Sequence, residues 1–219
     1  MNNCKLPTYI VNLKSRPDRR RSVEAQFDGK SEFDVRLVDA VQDPDGAAGI
    51  WKSLVKVVSI AEEAGHDRIV FCEDDHVFTE HYSADYLLRN IAEAEAKGAD
   101  LLAGGICGYG LGVPAGANLY WTDWYWGNQF LVIRRSLYRR ILDFDFCKGN
   151  TADGVLSGLA RVKMTLYPFV SVQKEFGYSD ITPTNGKKGF IDNMFDDTAS
   201  RLQRIHDVNR ALNYCGPMH

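Results

Sequence analysis

Up to Ala103 the chain alternates short, β-prone apolar runs with segments of helical periodicity, and few folds accommodate that order. Thr8 to Leu13, Phe33 to Val38, Arg68 to Cys72 and Ala99 to Ala103 read as strands. Arg16-Pro17-Asp18 opens a helix in which Val23 and Phe27 stand four apart, with Pro17 suited to the first turn. Trp51, Leu54, Val55, Val58 and Ala61 repeat with helical spacing until Gly65, and Leu87, Leu88, Ile91 and Ala92 do so before Gly98. The resulting order, βαβαβαβ, predicts an α/β fold with a mostly parallel central sheet flanked by helices. Ligands of open sheets collect outside the carboxyl ends of the strands. Asn12 with Arg16, Asp39, and the run Glu73-Asp74-Asp75 each follow a predicted strand, so one crevice is expected to receive them all.

Beyond Gly104 the pattern loosens. Six glycines between Gly104 and Gly116 punctuate a loop, followed by the aromatic stretch Tyr120, Trp121, Trp124, Tyr125 and Trp126. Gln129 to Ile133 reads as a strand, Ser136 to Leu142 and Thr151 to Leu159 as helices opened by capping hydroxyls. Leu166 to Val172 is β-prone apart from Pro168. A polar loop from Thr182 to Gly189 precedes a last helix through Leu202, Ile205 and Ala211.

With 219 residues, 45% of them hydrophobic, one domain with one sizeable core is expected. A formal charge of −3 argues against a surface adapted as a whole to nucleic acid or anionic lipid, so any basic function is local. No run approaches the roughly 20 apolar residues of a membrane helix, and the N-terminal residues lack a secretory pattern. A cytoplasmic protein, with at most a peripheral membrane contact, is expected. Cys4, Cys72, Cys107, Cys147 and Cys215 are scattered and odd in number, which fits reduced thiols better than disulfides or structural zinc.

Three consecutive carboxylates demand an explanation. Two unit charges about 4 Å apart repel by roughly 4 kcal/mol at an effective dielectric near 20. Full solvation answers this in an isolated acidic turn, whereas a divalent cation answers it at a strand end facing a crevice. Carboxylate oxygens suit Mg²⁺ or Mn²⁺, which keep waters and bind phosphate oxygens. The first helix supplies opposite charge: Arg16, Arg19 and Arg20 share a side, while Arg21 is turned away by about 100° per residue. Arginine's planar fork fits a pyrophosphate, and the alternative is a solvated helix face paired with Asp18 and Glu24.

The segments YIVNLKSRPDRR, CEDDHVF, WGNQFLVIRRSLYRRIL and TADGVL resemble the family 25 glycosyltransferases, which include bacterial lipopolysaccharide glycosyltransferases and collagen galactosyltransferases. The resemblance runs from about residue 8 to 181. It implies a GT-A (Rossmann-like) fold, a UDP-sugar donor, Mn²⁺ or Mg²⁺ held by a DxD-like motif, inversion at the anomeric carbon, and a glycan acceptor such as a lipopolysaccharide or polysaccharide. By the same resemblance Asn12 and Arg16 would line the nucleotide pocket and Asp39 would approach the base or ribose. Glu73 and Asp75 would flank the metal, with Asp74 beside the donor. Residues 1–103 would form the nucleotide- and metal-binding part, and 104–219 the acceptor side. The motif here is Glu-Asp-Asp rather than DxD. Where the family often carries a serine-histidine pair, this chain reads GIWKSLVKVVSIA, and Lys52 is the expected replacement contact to the donor.

Inverting transfer needs a base for the acceptor hydroxyl. Asp153, in the first turn of the Thr151 helix and matching a family aspartate, is the expected base; Asp123 and Asp180 are alternatives. Its structural reading is an acid complementing the helix dipole. If the segment is extended, Trp124 and Trp126 share a face and can stack on sugars. His76, His81 and His206 have no metal spacing and read as ordinary surface or helix residues. Two other classes also fit an acidic cluster after a strand: a receiver-like phosphoryl-transfer domain, which would phosphorylate Asp74 or Asp75, and a nucleotide-sugar-binding relative without turnover.

Overall fold

The structure is a computed structural model that describes residues 5–177 and 187–214. The chain runs β1 (Leu6–Asn12), α1 (Pro17–Phe27), β2 (Phe33–Asp39), α2 (Gly46–Glu63), β3 (Arg68–Glu73), β4 (His76–Phe78), α3 (Ala84–Ala96) and β5 (Leu101–Ala103). It continues through β6 (Gly108–Tyr109), β7 (Gly112–Pro114), β8 (Leu119–Thr122), β9 (Tyr125–Trp126), β10 (Phe130–Arg134) and α4 (Arg135–Leu142). The last elements are α5 (Ala152–Leu159), β11 (Lys163–Leu166), β12 (Ser171–Gln173) and α6 (Phe190–Tyr214).

An eight-stranded sheet has the order β2-β1-β3-β10-β5-β11-β8-β7. β10 and β8 run against the other six strands, so the sheet is mixed although most strands share one direction. Two small antiparallel pairs, β12 with β4 and β6 with β9, complete the architecture.

Both sheet faces are covered, which explains why the central strands are apolar without interruption. On β3, Ile69 and Phe71 enter one core with Trp51, Leu54, Val57 and Val58 of α2, while Val70 and Cys72 enter the other with Val23 and Phe27 of α1 and Leu87 and Ile91 of α3. α2 and α3 end as their glycines predict: Gly65 and Gly98 adopt φ of +70° and +77°, and the next residue's N–H reaches back to Ala61 and Ala94. α2 starts at Gly46, ahead of the periodic run, because the Asp45 carboxylate caps Ala47 N–H at 3.0 Å. Leu88, expected on the apolar face of α3, is exposed; the buried position there is Asn90, whose amide donates to the Tyr86 carbonyl.

His76 is no surface residue. It is buried among Phe27, Phe78 and Phe130, with Nδ1 2.8 Å from Ser171 Oγ, and burial pushes its pKa down to about 3. His206 is also buried and bonds Tyr120 through Nδ1. Among the described residues, Cys72, Cys107 and Cys147 are free thiols, and no helix is long and apolar enough to cross a membrane.

Candidate active site

β1, β2 and β3 are adjacent and parallel, so their carboxyl ends lie side by side: Asn12 is in register with Asp39, and Val11 with Glu73. A cleft of about 710 Å³ opens there, within the range of small-ligand sites. Asn12, Arg16, Arg19 and all three carboxylates, Glu73, Asp74 and Asp75, line it. Its opposite wall comes from the loop after β2, including Gln42 and Asp43, and from Gln173 to Phe176 after β12.

Neighbouring side chains hold Asp74 and Asp75 of the acidic turn. Asp74 Oδ2 accepts from Asn12 Nδ2 at 2.8 Å and Oδ1 from Arg19 Nη1 at 3.1 Å. Asp75 Oδ2 accepts from Gln173 Nε2 at 2.6 Å and lies 3.8 Å from Arg19 Nη1. Gln173 reaches this position because Gly104 and Gly105 let β12 approach closely; a Cβ at Gly105 would stand 2.0 Å from the Ser171 carbonyl oxygen. Burial, then the neighbouring carboxylate of Asp74, pushes Asp75 up to about 6. Glu73 is held well above its ordinary value too, by burial first and then by Asp75, Asp74 and Asp153.

Asp153 does not line the cleft. It is half-buried at the start of α5, where Thr151 Oγ1 and its own Oδ1 both accept from Gly154 N–H, at 3.2 and 2.9 Å. Burial first, and then its charge, raise the pKa of Tyr125 and Cys107, and its charge is a smaller cause of the same sign at Glu73. Asp123 serves a loop instead, accepting from Leu111 and Trp124 N–H at 2.8 Å each. Burial alone would raise its pKa, but these and other backbone donors hold it below the ordinary value. Asp180 lies outside the described residues.

Two expected contacts stand apart from the cleft lining. Asp39 is exposed and pairs with Lys14 at 3.0 Å, because strand alternation turns its side chain outward while the residues after it form the wall. Lys52 lies on the outer side of α2 and bonds Asp43 Oδ2 at 2.5 Å. The next residue, Ser53, faces the cleft and takes the Val41 N–H at 2.8 Å.

Gln173 and Phe176 are participants that the sequence left unassigned, and Arg19 is the one of its three same-side arginines, with Arg16 and Arg20, that meets the carboxylates. Arg19 is buried beneath the Phe176 ring, 4.6 Å from its centroid. A signal existed: Arg19, Val23 and Phe27 follow one another at intervals of four, so Arg19 lies on the buried face of α1. Arg20 instead pairs with Glu24 at the surface, and Arg21 is exposed. Trp124 and Trp126 do share an exposed face, with ring centroids 5.0 Å apart, above Gly108 and Gly110, where any Cβ would collide with the indoles.

No three His, Cys, Asp or Glu side chains among the described residues already converge as a metal cage. The donor chemistry nevertheless fits a hard divalent ion. Glu73 faces the cleft, and Asp75 Oδ1 is buried there without a hydrogen-bond partner, although Asp75 is only 6% exposed.

The chain has a Rossmann-like α/β fold, a large mixed sheet flanked by helices. It is similar to A197 from STIV, with a TM-score of 0.51 and 14% identity over 77% of this chain and 84% of that one. It also matches apo-UDP-glucose pyrophosphorylase, at 0.48 and 10% identity over 90% and 82% of the two chains. A mannose-1-phosphate geranyltransferase from Thermus thermophilus gives 0.39 and 11% identity over 74% and 73%. These likenesses are of fold alone. No family model and no curated protein matches the chain.

Proposed function

We propose that this protein is a metal-dependent, inverting glycosyltransferase that moves a hexose from a UDP-sugar to a glycan acceptor. The observation that carries this reading is a single cleft with cationic Arg16 and Arg19 along one side and the Glu73-Asp74-Asp75 turn beside them, at the carboxyl ends of three adjacent parallel strands. The resemblance of the same segments to family 25 glycosyltransferases supports it. Phosphoryl transfer to Asp74 fits less well, because both of its oxygens are already engaged by Asn12 and Arg19.

In this reading Arg16 binds the diphosphate with a charge-assisted fork, and Asn12 and Arg19 hold the acidic turn in place. Glu73 and Asp75 would hold the divalent cation, which when bound offsets negative charge on the leaving diphosphate. Asp153 accepts the acceptor hydroxyl proton as the new bond to the anomeric carbon forms and the bond to the diphosphate oxygen breaks. The exposed Trp124 and Trp126 rings offer apolar faces to glycan C–H groups.

UDP and Mn²⁺ should bind interdependently, since the carboxylates alone repel a diphosphate. Titration calorimetry of UDP with Mn²⁺ and with chelator checks this, and equal affinities under the two conditions would overturn the proposed function. Arg16→Ala should weaken UDP binding by roughly 1.5 to 3 kcal/mol, the value of a charge-assisted hydrogen bond, whereas Arg21→Ala should change it little. Equal losses in the two variants would return α1 to the status of a solvated basic helix.

A further inference from the structure

We infer that Arg19 is a resident counter-cation of the acidic turn and holds back capture of the divalent ion until the nucleoside diphosphate arrives. This inference rests on the metal-dependent reading above. Three observations carry it. Arg19 is 7% exposed and is fixed on the packed face of α1 under Phe176, so its charge is built into the site rather than borrowed from a mobile surface chain. It contacts Asp74 at 3.1 Å and lies 3.8 Å from Asp75, which also presents the unpartnered, buried Oδ1 to the cleft. Asn12 occupies the other oxygen of Asp74, and Gln173 bonds the Asp75 Oδ2 that faces Arg19, leaving Oδ1 to the cleft.

Counting charges gives the consequence. The Arg19 guanidinium offsets part of the acidic turn's negative charge, and the remainder attracts a divalent ion. That ion must nevertheless settle beside a fixed cation, which repels it. Without nucleotide the free ion is therefore held weakly. The diphosphate supplies both further oxygen ligands and the negative charge that outweighs Arg19, so ion and nucleotide enter together. A purely structural Arg19 makes the opposite prediction, since its loss would loosen the acidic turn and weaken ion binding.

The test is Mn²⁺ affinity, read from the free-ion electron paramagnetic resonance signal, in a charge cycle. The proteins are the parent, Arg19→Gln, Asp74→Asn and the double variant, each with and without UDP. Arg19→Gln is expected to bind free Mn²⁺ on the order of tenfold more tightly than the parent, and UDP should then enhance it less. Asp74→Asn should bind it more weakly, and the double variant should return close to the parent. The step from Asp74→Asn to the double variant measures the same effect without stranding Asp74, the carboxylate Arg19 contacts at 3.1 Å, so it decides the matter if Arg19→Gln does not fold. Unchanged or weaker Mn²⁺ binding on removing Arg19, in a parent that binds Mn²⁺ with UDP, overturns this inference alone. Absence of Mn²⁺ binding in the parent even with UDP overturns the metal-dependent reading and the inference with it.

Discussion

Asp153→Asn is expected to transfer sugar about 10²- to 10⁴-fold more slowly than the parent, with donor and metal affinity almost unchanged. Removing a positioned proton acceptor acts on the transition state and leaves the bound donor alone. Folding should be nearly unaffected, because Thr151 Oγ1 already takes the Gly154 N–H and asparagine's carbonyl can still accept it. The lost interaction with the helix dipole costs only about 0.3 to 1 kcal/mol. Single-turnover transfer at saturating donor, with UDP-sugar affinity and a melting curve on both proteins, separates these effects. Transfer at the parental rate by a normally folded variant would remove Asp153 as base. Asp123 is a poor substitute, since its carboxylate is engaged by backbone N–H groups, and Asp180 would be tested next.

Asp75→Asn should produce opposite changes in function and stability. The Mn²⁺-dependent gain in UDP affinity is expected to fall by about 10², because a charged oxygen ligand is replaced by a neutral one. The protein should meanwhile become more stable at neutral pH. Asp75 is held at about 6, above its ordinary value, by burial and by Asp74. Between about pH 4 and 6 the folded state therefore binds more protons here than the unfolded state, and this group's contribution to stability falls as pH rises. At pH 7 the penalty is of order 1 to 3 kcal/mol, taking 1.36 kcal/mol per pKa unit. Asparagine escapes it, so urea titrations from pH 4 to 7 without metal should show the variant's advantage growing with pH and vanishing near pH 4. Parallel curves for the two proteins would mean that the carboxylate is fully compensated within the site.

How much of the site is legible in the sequence follows from what periodicity can encode. Strand ends are visible where an apolar run stops, so pattern alone gathers Asn12, Arg16 and the acidic turn at one edge. Arg19 is half-visible: its spacing from Val23 and Phe27 puts it on the buried face, while its charge suggests solvent. Gln173 and Phe176 are hidden, since they reach the site only because β12 pairs with β4, about one hundred residues earlier in the chain. The direction of β10 is hidden as well, because an apolar run packs equally well in either sense. The outward turn of the Asp39 side chain and the bond of Lys52 to Asp43 depend on local geometry that periodicity does not encode.

The position of β10 also governs the order in which the molecule can be built. It lies between β3 and β5, bonded to both, so residues 5–103 cannot close their own sheet. During synthesis the strand that carries Glu73 has an unpaired, apolar edge until residues 130–134 have been made. Such an edge is a template for pairing with another chain. The pocket-forming strands β1, β2 and β3 are thus made well before the strand that seals them.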